Sequence, residues 1–448
     1  MTKDLTEGKP ARLIFDFALP VLGGYIFQQL YNVADTIIVG KCLSVEDLAA
    51  VGSTGSVSFL ILGFCMGISS GFAIPVAQCF GAKNYTKMRQ YIYNAIILTT
   101  VFSIVYAVAT VILCHPLLKL MQTPYDIIDH ASDYIIIIFA GIPFGFLYNL
   151  SSGILRSLGD SKTPLYFLLF SSVLNIFLDL ACILIFKMGI RGAAIATVIS
   201  QGVSGILCIF YIKKKYPILK FQKEDKIFSL LLSKNLCSMG IPMGLQYSIT
   251  AIGSVILQSA INGLGSRTVA AITAGLKIHM FFCAPFDALG TTMATYAGQN
   301  IGARKIERIK DGLKDSCLMG LIYSIFAFVL LLFVGDKLSL MFVDKSQSDI
   351  IRKAHQFLIS NSAFYFPLAL VNIIRFMIQG MGFSKLSILS GVFEMVARAV
   401  FGFVFVPMIG FMAATFASPA AWVLADVFLV IAFFYCYKKV KAEFESGA

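Results

Sequence analysis

Twelve long apolar runs dominate this chain, and each is long enough to cross a bilayer. They cover roughly residues 12–40, 48–80, 91–114, 131–157, 165–187 and 192–212, then 236–262, 270–299, 312–334, 356–380, 387–408 and 413–437. About 20 apolar residues, rising 1.5 Å each, span the hydrocarbon core. No water is present there to satisfy backbone N–H and C=O groups, so only helices and closed barrels can cross. Barrel strands would read as segments of about 10 residues with alternating polarity. The runs here do not alternate, so the expected fold is all-α and integral to the membrane, with twelve transmembrane helices.

Composition agrees. Only 13% of the 448 residues are charged, against about 25% in soluble domains. The net charge of +12 would suit nucleic acid if it formed one basic face. Instead the charges sit in short stretches between the apolar runs, as in the loops of membrane proteins. No nucleic-acid partner is expected. The ten Cys are scattered through apolar segments without a C-x-x-C pair, and read as small buried hydrophobes. The polar start, residues 1–12, lacks the pattern of a removed signal peptide. The four His have no metal-ligand spacing, and H-E-x-x-H, G-x-S-x-G and G-x-x-x-x-G-K-[ST] are all missing. An enzyme is not expected, nor a cofactor, nor ATP-driven transport.

Lys and Arg set the orientation. With the N-terminus inside, inner segments hold 24 and outer loops 9. The positive-inside rule then places both termini in the cytoplasm. The expected domains are a first lobe at 1–212, a basic cytoplasmic linker at 213–235, a second lobe at 236–437 and a tail at 438–448.

The halves repeat weakly. Ala49-Ala50-Val51 returns as Ala270-Ala271-Ile272, and Gln78-x-x-Gly81-Ala82 as Gln299-x-x-Gly302-Ala303, both 221 residues on. Asn149 matches Asn372, and Gly159-x-Ser161-Lys162 matches Gly382-x-Ser384-Lys385, both 223 on; Pro20 matches Pro242. Six spans per half is an even number, so both halves insert the same way up, as parallel repeats do in transporters.

Polar residues inside the spans mark the candidate sites, because intramembrane carboxylates normally face a cavity or a partner. In the first run, Gln28, Tyr31 with Asn32, and Asp35 fall on one helical face. Pro20 lies about 22 Å earlier along the helix, where it is either a fixed kink or a moving hinge. Ser171, Asn175 and Asp179 recur every four residues in the fifth run, and Thr197 and Gln201 in the sixth. Their oxygens suit Na⁺ or a proton held in a network; a helix–helix clamp is the plainer reading. Candidates for lining a substrate cavity in this half are Gln28, Tyr31, Asn32, Asn149 and Gln201. A polar site in the second half would use Gln246, Lys277, Glu394 and Arg398. Glu394 and Arg398 are four apart and can pair. Asp287 and Arg375 lie in the same half, and Asp426 stands alone.

At these residues the chain resembles the multidrug and toxic compound extrusion (MATE) family of cation-coupled exporters. The resemblance rests on Pro20 with Asn32-x-x-Asp35-Thr36-x-x-x-Gly40, Gln78-x-x-Gly81-Ala82 and its repeat, Leu155-Arg156-x-x-Gly159-Asp160, and Asn175-x-x-x-Asp179 with Thr197. It implies a V-shaped exporter of two six-helix lobes. It also implies a first-lobe site for H⁺ or Na⁺ at Asp35, Asn175, Asp179 and Thr197, with bending at Pro20. No other metal site is implied. The second-lobe carboxylates of other branches have no counterpart in 236–262 or 356–380.

The expected function is therefore export of amphipathic, often cationic, organic compounds in exchange for H⁺ or Na⁺. The setting is the plasma membrane of a prokaryote; lipid is the surroundings, and no obligatory protein partner is expected of a monomer. The alternative is a flippase or exporter for a lipid-linked precursor or a specific metabolite. It would favour a strongly cationic cavity and often extra spans.

Overall fold

The structure, a computed structural model, describes residues 3–121 and 123–446. The first half contains α1 (Pro10–Cys42), α2 (Val45–Gly81) and α3 (Tyr85–Leu120), then α4 (Ile128–Ala140), α5 (Ile142–Ser157), α6 (Lys162–Leu180) and α7 (Ile190–Lys215). The second half contains α8 (Leu230–Asn262), α9 (Ser266–Gly302), α10 (Ile306–Ser339), α11 (Ser348–Ser362), α12 (Tyr365–Gly380), α13 (Ser384–Val400), the short α14 (Val406–Ile409) and α15 (Phe411–Glu445). Among the described residues the regular structure is entirely helical.

Ten of these helices are long and apolar enough to cross alone, and two bent pairs bring the number to twelve. The pairs are α4–α5, bent by 45°, and α11–α12, bent by 49°. The sequence suggests an unbroken span at each place. The breaks have a local cause. Pro143 and Pro367 stand in the first turns of α5 and α12. A proline there lacks an N–H and its ring crowds the carbonyl four residues earlier, so the preceding helix stops. By contrast α1 runs on through Pro20. The helices also reach beyond the apolar runs; α3 and α4 contain His115 and His130, and α11 contains His355, each just outside a run.

The repeat extends to backbone detail. Lys83 and Arg304 both take φ +55°; Gly159 and Gly382 take +80° and +100°, and Gly189 and Gly410 take +60° and +67°. A π-helical turn follows α6 at Ala181–Ile185 and another follows α13 at Phe401–Phe405. Packing repeats as well: α2 with α5 and α6 with α7 in one half, α9 with α12 and α13 with α15 in the other.

The described chain divides into two compact units. Unit 1 holds residues up to Asp4 and Gly23–Ser248; unit 2 holds Leu5–Leu22 and Ile249–Ala448. Each half therefore lends the beginning of its first long helix to the other half's unit. In unit 1, the start of α8 is held against α2 by facing glycines. A Cβ on Gly67 would sit 2.6 Å from the Gly244 Cα, and one on Gly71 would sit 2.5 Å from the Gly240 Cα. Small residues four apart on both helices let the backbones touch. In unit 2, the segment before α1 docks on the α9–α10 turn. Leu5 N donates to Gln299 Oε1 at 2.8 Å, and Arg308 Nη1 donates to Gly8 O at 2.9 Å. The basic 213–235 stretch is pinned to α3. Arg89 Nε on α3 donates to Asp225 Oδ2 at 2.6 Å, and Asn94 Nδ2 to Ile227 O at 3.0 Å.

Candidate functional site

Unit 1 gathers four helices around two carboxyls. A spacing of four puts Tyr31 and Asp35 on one face of α1, and Asn175 and Asp179 on one face of α6. Thr197 faces them from α7 and Tyr134 from α4. Asp35, Asn175, Asp179 and Thr197 are all buried, with Asp179 wholly so.

Hydrogen bonds tie the group together. Tyr31 Oη donates to Thr197 Oγ1 at 3.1 Å. In the amide orientation that satisfies both ends of its side chain, Asn175 donates to Asp179 Oδ2 at 2.9 Å and accepts from Thr197 N at 3.2 Å. The Asp35 and Asp179 carboxyls lie close enough to each other to interact directly. Tyr134 lies within electrostatic reach of both, and of Tyr31.

This arrangement constrains its chemistry. An ionised carboxylate only accepts hydrogen bonds, so two carboxyls in contact need a proton between them. Oδ1 of Asp35 and Oδ1 of Asp179 are each buried without a hydrogen-bond partner. Among the described residues neither carboxyl pairs with Lys, Arg or His. An unpaired buried charge is expensive. The site therefore favours binding a proton or a small cation, and the hydroxyl and amide oxygens nearby suit either.

The other residues singled out in the sequence distribute less simply. Ser171 is a clamp, donating to Ser200 O of α7 at 2.9 Å. Gln28 and Asn32 are exposed on α1, so the polar stripe of that helix is only partly enclosed. Asn149 donates to Gly145 O of its own helix at 2.8 Å, and Gln201 Oε1 lies beside Gly145. Gln201 lies one turn along α7 from Thr197. Gln246 is buried in unit 1, because the start of α8 belongs there. Lys277 is exposed in unit 2, on a surface cavity of about 700 Å³ that it lines with Asn262, Ser266 and Thr273. Glu394 and Arg398 do pair, at 3.3 Å, and Arg375 holds the other Glu394 oxygen.

Sequence reasoning missed Tyr134. It is one aromatic among many in apolar runs, and only the register of α4 against α1 and α6 sets it apart.

Fold and site together define a multi-pass helical membrane transporter. A family model described as MatE matches residues 20–181 and again 242–404. A relative in Bacillus subtilis, named as a probable multidrug resistance protein YpnP, is 31% identical over 83% of this chain and 82% of its own. A Shewanella oneidensis relative named as an FAD transporter is 24% identical over 74% of each chain. A solved structure described as the outward-facing conformation of a multidrug resistance MATE family transporter superposes with a TM-score of 0.90, at 22% identity, over 98% of both chains. The chain belongs to the MatE family.

Proposed function

We propose that the protein is a secondary active exporter that expels amphipathic organic compounds, often cationic, while H⁺ or Na⁺ flows inward through the Asp35–Asp179 site. The observation that carries this reading is the buried carboxyl pair, with an unpartnered oxygen on each member and Asn175 and Thr197 beside it. The multidrug resistance name of the 31% identical relative supports the substrate class. The FAD transporter, a more distant relative, makes flavin dinucleotide a second substrate to assay.

Coupling follows from differential affinity. A bound cation shifts a conformational equilibrium only as far as it prefers one state. Asp35 and Tyr31 ride on α1, and that helix passes from unit 2 to unit 1 at Leu22–Gly23, just after Pro20. Cation binding that holds Asp35 against Asp179 would favour one bend of α1 at Pro20. Tyr31, a substrate-lining candidate on the same helix, would then shift with it. The Lys and Arg bias supports both termini in the cytoplasm of a prokaryotic plasma membrane. Lys223→Cys in a Cys-free background should react from inside only; reaction from outside intact cells refutes that orientation.

The test of the function is transport in proteoliposomes with Na⁺ and pH gradients imposed separately. Substrate efflux driven by one gradient identifies the coupling ion, and efflux indifferent to both contradicts the proposal.

A further inference from the structure

Lys277 carries a charge into an apolar span. It lies seven residues inside the run 270–299, about 10 Å along α9. Among the described residues it pairs with no carboxylate. A lysine at such a depth is costly in hydrocarbon and normally faces a water-filled cavity or a ligand path.

The exposed face of α9 has the chemistry of a wet surface. Ser266, Ala270, Thr273, Lys277 and Met280 are exposed, at spacings of four, three, four and three, so they share one side of the helix. α10, in the same unit, exposes Leu318, Ile322, Ile325, Phe326, Val329 and Phe333, as a helix against lipid does. The repeat-related stretch of α2 matches α9 and not α10: Ala49, Gly52 and Ser56, each 221 residues before Ala270, Thr273 and Lys277, are exposed too.

This face of α9 opens on the cavity of about 700 Å³ within unit 2. Its polar lining is rich in donors. Lys277 contributes an ammonium. Asn262 Oδ1 accepts from Gln258 Nε2 at 2.9 Å, which leaves the Asn262 amide N–H groups for the cavity. Ser266 and Thr273 add hydroxyls. Ser266 also begins α9, whose N-terminus has no side-chain cap, and the positive end of a helix dipole favours an anion. Among the described residues no Asp or Glu lines the cavity. Asp344, next in the chain to the lining Val343, is engaged by the Ser346 N–H at 2.8 Å. The remaining wall is apolar, with Val269, Phe342 and Val343.

A cation finds no countercharge here and meets Lys277. A bare inorganic anion leaves the apolar wall without a partner. An organic anion with an apolar body satisfies both parts. We propose that this cavity binds amphipathic anions, with Lys277 paired to a carboxylate, sulfonate or phosphate and Val269, Phe342 and Val343 against the apolar body. An acidic lipid headgroup and a free organic anion share this chemistry. Export of such anions rests on the proposed transport function; the binding site does not.

The probe is radiolabelled naphthalene sulfonate, measured by equilibrium dialysis against the full-length protein in phosphatidylcholine nanodiscs, with empty nanodiscs subtracted. Lys277→Met should weaken binding by about tenfold or more, as expected for loss of a charge-assisted contact, while Lys277→Arg should largely retain it. Phosphatidylglycerol in the nanodiscs should be compared on wild type and Lys277→Met, because its surface charge repels the probe from both. An extra loss confined to the wild type assigns the site to a lipid headgroup; no extra loss assigns it to a free organic anion. Water access is read separately, in a Cys-free background. Lys277→Cys should react with a negatively charged thiosulfonate, and Ile322→Cys on α10 should not. Equal binding by wild type and Lys277→Met, equal binding of naphthylmethylammonium, or an unreactive Lys277→Cys in folded protein overturns the proposal. No gradient is imposed in any of these measurements, so their failure is separable from failure of the antiport reading, which efflux by Asp35→Asn tests.

Discussion

Replacing Glu394 with Gln should destabilise the protein rather than merely retune its substrates. The side chain of Glu394 is 4% exposed and neutralises Arg375 and Arg398 at once. Glutamine preserves the shape and removes the charge. Taking one partner from a buried ion pair costs about 3–5 kcal/mol, because the other charge stays buried and unpaired. Here two guanidiniums lose their partner, but Asp287 and Asp426 lie close enough to Arg375 to offset part of the loss. That moves the expected cost towards the lower end, about 3 kcal/mol. At about 1 °C per kcal/mol for a chain of this length, the apparent Tm should fall by roughly 3 °C. Size-exclusion chromatography of detergent-purified protein after stepwise heating reads this directly. Adding Arg375→Gln to Glu394→Gln should recover part of the loss, since one orphaned charge is then gone and neighbours are non-additive. A single Glu394→Gln variant within about 1 °C of wild type would refute the reasoning, because such a pair cannot then be carrying a buried charge.

Gly71→Leu should sharply reduce folded yield, since the facing atoms across the α2–α8 contact are backbone and cannot step aside; wild-type elution after purification would contradict the close crossing. Pro20→Ala should lower export while expression and substrate binding persist, as a restored backbone hydrogen bond stiffens α1; unchanged export reduces Pro20 to a static feature. Asp225 lies outside the spans. Burial pushes its pKa up, but hydrogen bonds from Arg89 and the Gln222 N–H outweigh this and hold it below the usual value. A depressed folded pKa means the stabilisation is present above the unfolded pKa and is lost as pH falls through the folded one. Hydrogen exchange in 218–229 should therefore rise below about pH 4, and Asp225→Asn should exchange fast at all pH values; equal protection in both proteins would refute the anchor.

Much of this was legible in the chain because lipid permits few solutions. Apolar length gave the spans, and Lys and Arg placement gave an orientation to test. Asp35, Asn175, Asp179 and Thr197 met because four-residue spacing fixes a helical face and the repeat fixes helix order. The breaks near Gly141 and Phe364 escaped because hydropathy is blind to a bend with apolar residues on both sides; Pro143 and Pro367 were the available signal. Gln246 was grouped with the second half because order along the chain does not reveal that the start of α8 packs in unit 1. Gly67, Gly71, Gly240 and Gly244 stood at the right spacing for a close crossing, but a spacing does not name its partner helix. Arg375 joined Glu394 from nineteen residues away, beyond any single-helix rule.

Gradient-driven efflux by Asp35→Asn and Asp179→Asn in proteoliposomes tests the central claim most directly. Each change removes one carboxyl of the pair while keeping its size, so each should abolish efflux driven by an imposed H⁺ or Na⁺ gradient while substrate still binds. Full efflux by both variants at equal protein levels would contradict the account.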